Sequence, residues 1–167
     1  MIKSPINICT LGRTLSILFA LISCNGNTAY HTYQNLPSAG WQKQDTLEYI
    51  LPSYLAGKSY QMEIGLRHTE NYAYQDIWLK VLHPLSPQIH PDTLHLKLAD
   101  QWGNWQGKGT SGNLYQYTNN QVIHLSSADS LLQIVHIMRD NPLKGISDVG
   151  IKLSPLTTSS INTQKNK

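Results

Sequence analysis

Alternation of apolar and polar residues with a period of two is the feature that most constrains how this chain folds. Tyr60, Met62, Ile64 and Leu66 alternate with polar or small residues, which is typical of a half-buried β-strand. The same period recurs over residues 77–82 and 94–98. Further strands are predicted over residues 45–51, 114–117, 121–125, 131–139 and 149–153. The dominant secondary structure is therefore predicted to be β.

The apolar segment over residues 131–139 is predicted to be a central strand. Leu132, Ile134, His136 and Met138 share one side of it, and the opposite side is also apolar, so burial on both faces is expected. His136 is expected to point inward and to be hydrogen-bonded in the core. The apolar density of this segment also fits a helix, but its β-branched content and the Asn-Pro pair at 141–142 favour a strand.

Turn residues separate these strands at regular intervals. Asn119-Asn120 lies between two short strands and predicts a tight hairpin with positive φ at both asparagines. About eight strands without a convincing amphipathic helix predict an all-β fold, an antiparallel β-sandwich of jelly-roll type.

The N-terminus has the layout of a secretory signal peptide that ends in a cysteine. Lys3 and Arg13 form a positive region, and an apolar run of about ten residues follows, which is shorter than the roughly 20 that span a bilayer. The sequence Leu-Ile-Ser-Cys over residues 21–24 resembles the bacterial lipobox. In that scheme Cys24 takes a diacylglycerol and becomes the new N-terminus, and its amine is usually acylated too, with palmitate as the expected fatty acid. The alternatives are a plain cleaved signal peptide with an incidental cysteine, or a buried N-terminal helix.

These features divide the chain into four predicted parts. They are a lipoprotein signal peptide (1–23), the lipidated cysteine with a short tether (24–29), a single β-sandwich domain (30–153) and a disordered polar tail (154–167). The other cysteine, Cys9, lies in the leader, so the core alone is expected to stabilise the domain. The short tether places the domain close to the membrane.

The charge of the domain excludes one broad class of function. The net charge of the whole chain is +3, and two of those charges, Lys3 and Arg13, belong to the leader. Lys165 and Lys167 near the C-terminus contribute two further positive charges. Nucleic-acid binding requires clustered Lys and Arg, and the predicted domain has no such cluster.

Motifs for catalysis or metal binding are weak. The segment 103–110 resembles a phosphate-binding loop, but its glycines have the wrong spacing and no helix follows. His83, His90, His95 and Asp92 lie near one proline-rich loop without the spacing of a zinc site, so no metal is expected. No nucleophile elbow is present. We therefore expect a protein that is not an enzyme and has no cofactor.

Two tryptophans mark a candidate binding surface. Trp102 and Trp105 share one glycine-rich loop, where they could stack on a sugar or contact a partner. The alternative is that they are core aromatics.

The motifs that follow Cys24 resemble the GldH family of gliding-motility lipoproteins. The match rests on the segments 30–33, 41–45, 60–67, 72–79, 103–109 and 137–151. Its most specific parts are Gly-x-Trp-x-Gly-x-Gly (103–109) and Met-Arg-x-x-x-Leu-x-Gly-Ile-x-Asp-Val-Gly (138–150).

The resemblance implies a lipoprotein of the cell envelope, and we expect its anchor in the outer membrane with its domain facing the periplasm. It also implies envelope proteins as partners in a gliding or related assembly, and it supplies no catalytic residue. This assembly role predicts a contiguous apolar or aromatic surface patch. A glycan- or lipid-binding module that uses the loop tryptophans is the alternative function. Arg67 and Arg139 each follow an apolar strand and are expected to pair with Asp76, Asp140 or Asp148 at strand ends.

Overall fold

A computed structural model describes residues 28–111 and 114–156 of the 167-residue chain. These residues form nine β-strands and one short 3₁₀ turn, Ser53–Leu55, with no α-helix among them. The strands are β1 (Tyr30–Asn35), β2 (Leu47–Ile50), β3 (Ser59–Thr69), β4 (Asp76–Leu82), β5 (Asp92–Lys97), β6 (Lys108–Ser111), β7 (Leu114–His124), β8 (Leu131–His136) and β9 (Ile146–Pro155).

The strands form two antiparallel sheets. The first sheet has the order β1-β9-β3-β7-β6, and the second has the order β2-β8-β4-β5. All pairings between neighbours are antiparallel. The predicted antiparallel β-sandwich is therefore confirmed, whereas its jelly-roll type stays a prediction. The chain changes sheet after β1, β2, β3, β5, β7 and β8, which favours that assignment.

The core lies between the inner faces of the two sheets. On the first sheet, alternate residues of β3 and β9 are fully buried, among them Met62, Ile64 and Ile151. On the second sheet, the buried series comes from β4 and β8, with Leu79 and Ile134 at its centre. Because side chains alternate across a strand, the residues between these positions face outward.

The predicted hairpin at Asn119-Asn120 is wrong. Both asparagines lie within β7, where Asn120 pairs with Glu63 and Asn119 pairs with Ile64 of β3. No described residue other than glycine has a positive φ. The physical reason is the partner strand: β3 pairs with β7 along 11 positions, and these continuous backbone hydrogen bonds outweigh the turn preference of two asparagines.

The strand predicted over 131–139 is central, as expected, but only one of its faces is buried. It lies between β2 and β4 as β8, with Leu132, Ile134 and His136 in the core. Leu131 and Val135 face outward and are half-buried, so burial on both faces is wrong. The His136 ring lies in the core with Nε2 at 3.1 Å from the carbonyl oxygen of Trp41, which confirms its predicted role.

Two strands, β1 and β6, were not predicted. Several others extend beyond their predicted bounds: β9 spans Ile146–Pro155 rather than 149–153, and β5 begins at Asp92 rather than residue 94. The predicted signal peptide, Cys24 and most of the predicted tail (157–167) lie outside the described residues.

Candidate functional site on the outer face of the second sheet

The outer face of the second sheet carries exposed apolar side chains at its centre. Trp78 of β4 is 40% exposed, and Ile137, the residue after β8, is 41% exposed. They are neighbours, because the Ile137 backbone N–H donates to the Trp78 carbonyl oxygen at 2.9 Å. Trp78 faces outward because Ile77 and Leu79 on either side of it fill the core.

A histidine covers part of the Trp78 indole. His95 of β5 pairs with Trp78 across the strands, and the two rings stack with centroids 4.1 Å apart and an interplanar angle of 8°. His95 Nε2 lies 2.6 Å from Asp76 Oδ2, which fixes the imidazole in this orientation. We refer to Asp76, Trp78, His95 and Ile137 as the aromatic patch.

The loop that carries Trp102 is held by one aspartate. The carboxylate of Asp100 accepts hydrogen bonds from the backbone N–H groups of Trp102 and Asn104 and from the Asn104 side chain, each at 2.9 Å. The side-chain bond from Asn104 is the main reason that the pKa of Asp100 lies below its ordinary value. Trp102 is 78% exposed on this ordered turn.

A groove of about 450 Å³ lies beside the Trp102 loop and adjoins the aromatic patch through Asp76. Its wall is polar and apolar in equal parts and includes one cation and two carboxylates. The lining residues are Gln75, Asp76, Lys97, Ala99, Asp100, Gln101, Trp102 and Gln106.

Trp105 is placed differently from Trp102. It is partly buried, packs against the core and meets the His68 ring edge-on at a centroid distance of 4.5 Å. It also packs near Tyr72 and Tyr115. The two tryptophans of the loop therefore do not form a shared binding platform. Trp105 is a core aromatic residue, as in the alternative prediction, whereas Trp102 lies on the surface.

Arg67 is an ordered side chain of the other sheet. Its Nη1 donates to Asp148 Oδ1 at 3.0 Å, and its guanidinium lies 4.6 Å from the centroid of the Tyr33 ring. Arg67 pairs with Asp148, one of the predicted partners, but it lies inside β3 rather than at its end.

Arg139 is exposed beyond the end of β8. Its charge acts on the Tyr74 hydroxyl, whose pKa is raised mainly by a hydrogen bond with Asp140. Arg139 is not part of the aromatic patch, and it has no ion pair among the described residues.

Sequence reasoning missed the contact between Tyr33 and two glycines. Gly65 and Gly150 pair with each other on the outer face of the first sheet, and the Tyr33 ring lies across both. A Cβ at Gly150 would come within 2.6 Å of the ring. Glycine inside a strand is a signal of such close approach, so the two glycines are the sequence feature that could have indicated it.

A buried network of His83, Ser86 and Asp129 was also missed. Ser86 Oγ donates to Asp129 Oδ1 at 2.7 Å, and His83 Nδ1 lies 3.2 Å from Oδ2. Because the serine bonds to the acid rather than to the imidazole, these residues do not form a nucleophile–base pair. The described residues contain no group of three or more His, Cys, Asp or Glu that could hold a metal.

The fold and its exposed face define a class of protein: a small β-sandwich with an aromatic patch on one outer face. The sequence model of the GldH lipoprotein family matches residues 28–153, so the chain belongs to that family. The predicted resemblance is confirmed.

Two curated relatives carry the same family name. The gliding motility lipoprotein GldH of Flavobacterium johnsoniae is 26% identical over 152 residues, which cover 85% of this chain and 94% of the relative. The gliding motility lipoprotein GldH homolog of Christiangramia forsetii is 27% identical over 149 residues, 82% of this chain and 88% of the relative. The family is thus one of lipoproteins in gliding motility.

Among solved structures, a chain of the tomato aspermy virus structure is similar to this one. The similarity covers 91% of this chain and 97% of that chain, with 12% sequence identity and a TM-score of 0.36. A score at this level does not place the two chains in one fold. Within residues 28–111 and 114–156, no helix has the length and hydropathy that a bilayer crossing requires.

Proposed function

We propose that this chain is a lipid-anchored, non-enzymatic component of a gliding-motility or related cell-envelope assembly. Its anchor is Cys24, its membrane is the outer membrane, and its domain faces the periplasm. Membership of the GldH lipoprotein family and the lipobox-like sequence before Cys24 support the anchor. Two or three acyl chains hold a protein on a membrane firmly, since each buried methylene contributes about 0.8 kcal/mol.

The aromatic patch is the proposed contact surface for another envelope protein. The observation that carries this proposal is the exposure of Trp78 and Ile137 side by side at the centre of a rigid sheet face. Buried aromatic anchors surrounded by polar groups dominate the binding energy of protein interfaces. Asp76, Lys80 and Lys97 supply such a polar rim.

The partner is expected to present an apolar pocket or an exposed strand. β5 is an edge strand of the second sheet, so its outer backbone groups are available to a further strand. His95 of β5 already stacks on Trp78, so a partner strand on β5 would lie directly beside the aromatic patch.

In-cell cross-linking of the full chain, followed by purification and mass spectrometry, tests this function. Envelope proteins recovered with the parent chain are expected to be lost from a Cys24→Ala chain. They are also expected to be lost from Trp78→Ala and Ile137→Arg, which change only exposed side chains.

The matched control is His31→Ala, which removes an exposed ring from β1 on the first sheet. This control is expected to retain the partners. Recovery of the same proteins with Ile137→Arg as with the parent chain would place the contact elsewhere. If neither the parent chain nor any variant is cross-linked to another protein, the assembly role is wrong.

Glycan binding in the groove beside Trp102 is the second candidate function. The exposed indole and the polar groups of Asp76, Lys97 and Asp100 favour this function, since sugars stack on aromatic rings and bond to such polar groups.

Calorimetry with a panel of neutral and amino-sugar oligosaccharides would detect binding. Trp102→Ala should abolish it while the fold survives, and Trp105→Ala should mainly reduce stability. No binding by the parent chain would exclude the glycan function for the sugars in the panel.

A further inference from the structure

One end of the sandwich is defined by where the chain enters the fold. Ala29 donates its backbone N–H to the Leu153 carbonyl oxygen, and Tyr30 at the start of β1 pairs with Leu153. Pro155 at the end of β9 pairs with Tyr60 near the start of β3. We refer to this end as the tether end.

Three exposed apolar side chains lie at the tether end. Ile50 at the end of β2 is 76% exposed, Tyr54 in the 3₁₀ turn is 60% exposed, and Leu85 in the loop after β4 is 49% exposed. Trp102, by contrast, lies at the opposite end of the second sheet, because its loop packs on Gln75 just before β4 begins.

An apolar pocket of about 350 Å³ opens at the same end. Its lining residues are Ala29, Tyr54, Leu55, Lys58, Ser59, Tyr60 and Pro155. The Tyr54 hydroxyl donates to the Ala29 carbonyl oxygen at 3.0 Å, and Lys58 Nζ donates to the Tyr54 carbonyl oxygen at 2.9 Å. The pocket thus combines an apolar interior, which includes the buried Tyr60, with the exposed Tyr54 and the Lys58 cation at its rim.

The loops that carry these side chains are tied together. Gly57 donates its backbone N–H to the Ser126 carbonyl oxygen, and Leu125 donates to the Lys58 carbonyl oxygen, both at 2.9 Å. Ser86, next to Leu85, donates to the buried carboxylate of Asp129. The exposed apolar groups are therefore presented by an ordered surface rather than by separate loops.

We infer that the tether end lies on a phospholipid surface, with Ile50, Tyr54 and Leu85 at the level of the headgroups and Lys58 toward the lipid phosphates. This inference rests on the proposed anchoring at Cys24. Four residues lie between Cys24 and Ala29, so the five Cα–Cα steps that join them reach at most about 18 Å. An anchor that short holds the end of the fold where Ala29 enters close to the bilayer.

The chemistry of the tether end fits the membrane interface. Tyrosine is enriched at the headgroup level because its ring is apolar and its hydroxyl is polar. Lysine extends its apolar stem along such a surface and keeps its ammonium group among the phosphates. Aliphatic side chains such as Ile50 and Leu85 gain free energy when they leave water.

Spin labels on single introduced cysteines test this inference. The chain has only two cysteines, Cys9 in the predicted leader and Cys24, so an acylated mature chain would label only at the introduced site. Leu85→Cys and Ile50→Cys place the label at the tether end, and Trp102→Cys places it at the opposite end. The labelled full-length lipoprotein is reconstituted into vesicles of phosphatidylethanolamine and phosphatidylglycerol.

The measurement is the accessibility of each nitroxide to a water-soluble nickel complex and to oxygen. We expect nickel accessibility at Leu85 and Ile50 to be several-fold lower than at Trp102, with higher oxygen accessibility. Equal nickel accessibility at all three sites would overturn the inference, as would dipolar broadening at Leu85 that shows a second copy on this surface.

Mass spectrometry of the N-terminal peptide in the same sample separates the two proposals. An acylated Cys24 with a water-exposed Leu85 label would overturn the membrane contact alone. An unacylated Cys24 would overturn both the anchor and the contact that depends on it.

Discussion

At the scale of single residues, Tyr33 explains why two strand positions are glycine. Its ring lies flat on the backbone of Gly150 and Gly65, and Arg67 covers the ring from above. The Arg67 guanidinium also pairs with Asp148, which is nearly buried. The Tyr33 contacts therefore attach the edge strand β1 to β9, its neighbour, and to β3, the next strand of the sheet.

Substitution Gly150→Ala is expected to destabilise the domain by about 1–3 kcal/mol, because the added methyl group collides with the Tyr33 ring. Urea unfolding of the full chain measures this change. Gly109→Ala is the matched control, since Gly109 is also in a strand, has no positive φ and has no atom within 4 Å of an added Cβ. Tyr33→Ala in the Gly150→Ala background should recover part of the loss. Equal stability of the Gly150→Ala and Gly109→Ala chains would contradict the contact.

Two buried histidines make stability depend on pH. Burial lowers the pKa of His68 and His136 below the ordinary value of 6.5, against the opposing effect of their hydrogen bonds to the carbonyls of Thr69 and Trp41. Above that value both histidines are neutral in the folded and the unfolded chain. Below it the unfolded chain binds protons first, so the free energy of unfolding falls as the pH falls.

For each histidine, the free energy of unfolding is expected to fall by at most about 1.4 kcal/mol per pH unit. This fall occurs between pH 6.5 and the lower pKa of the histidine in the folded state. Urea unfolding from pH 7.5 to 5 measures it. His68→Phe keeps the ring contacts with Trp105 and Tyr115 and should reduce the slope. An unchanged slope in this variant would show that His68 does not carry the effect.

At the scale of elements, Asp129 connects loops from different parts of the chain. Its carboxylate accepts from Ser86 Oγ and from the Ser126 backbone N–H, both at 2.7 Å, and contacts His83. Burial raises the pKa of Asp129, but these hydrogen bonds outweigh burial and leave the pKa below its ordinary value.

Substitution Asp129→Ala is expected to cost about 3 kcal/mol, because it leaves several buried donors without an acceptor. Hydrogen exchange should also quicken in the loops at 51–58 and 83–89. Asp129→Asn keeps the shape and one acceptor oxygen, so an intermediate loss is expected. Local exchange that is unchanged in Asp129→Ala would contradict the connecting role.

The strands with a buried inner face could be predicted from the sequence, whereas two edge strands could not. β3, β4 and β8 have one fully buried face, and β5 has the buried pair Leu94 and Leu96 on its inner face, so their alternation is clear. The two unpredicted strands, β1 and β6, are the edges of the first sheet. β1 has mostly half-buried residues on both faces, and β6 has only four residues, so neither carries a clear pattern.

At the scale of the whole molecule, the β-sandwich and the family could be predicted from the sequence. The side-chain contacts that form the aromatic patch could not. Alternation shows that Trp78 opposes Ile77 and Leu79, but it does not show that His95 stacks on it or that Ile137 adjoins it. Those contacts come from the register between strands far apart in sequence. Trp102 and Trp105 illustrate the same limit, because only two residues lie between an exposed ring and one that packs on the core.

The pairing of β1 with β9 also has a mechanical consequence. The chain enters β1 at the tether end, and the aromatic patch and the Trp102 loop lie toward the other end of the strands. If the chain is anchored at Cys24 as proposed, a partner that pulls the domain away from the membrane would load β1 along its own axis. The six residue pairs between β1 and β9 would then share the force in shear rather than open one after another. A domain loaded in this way resists extension most strongly along the axis of β1, because all six pairs must break together.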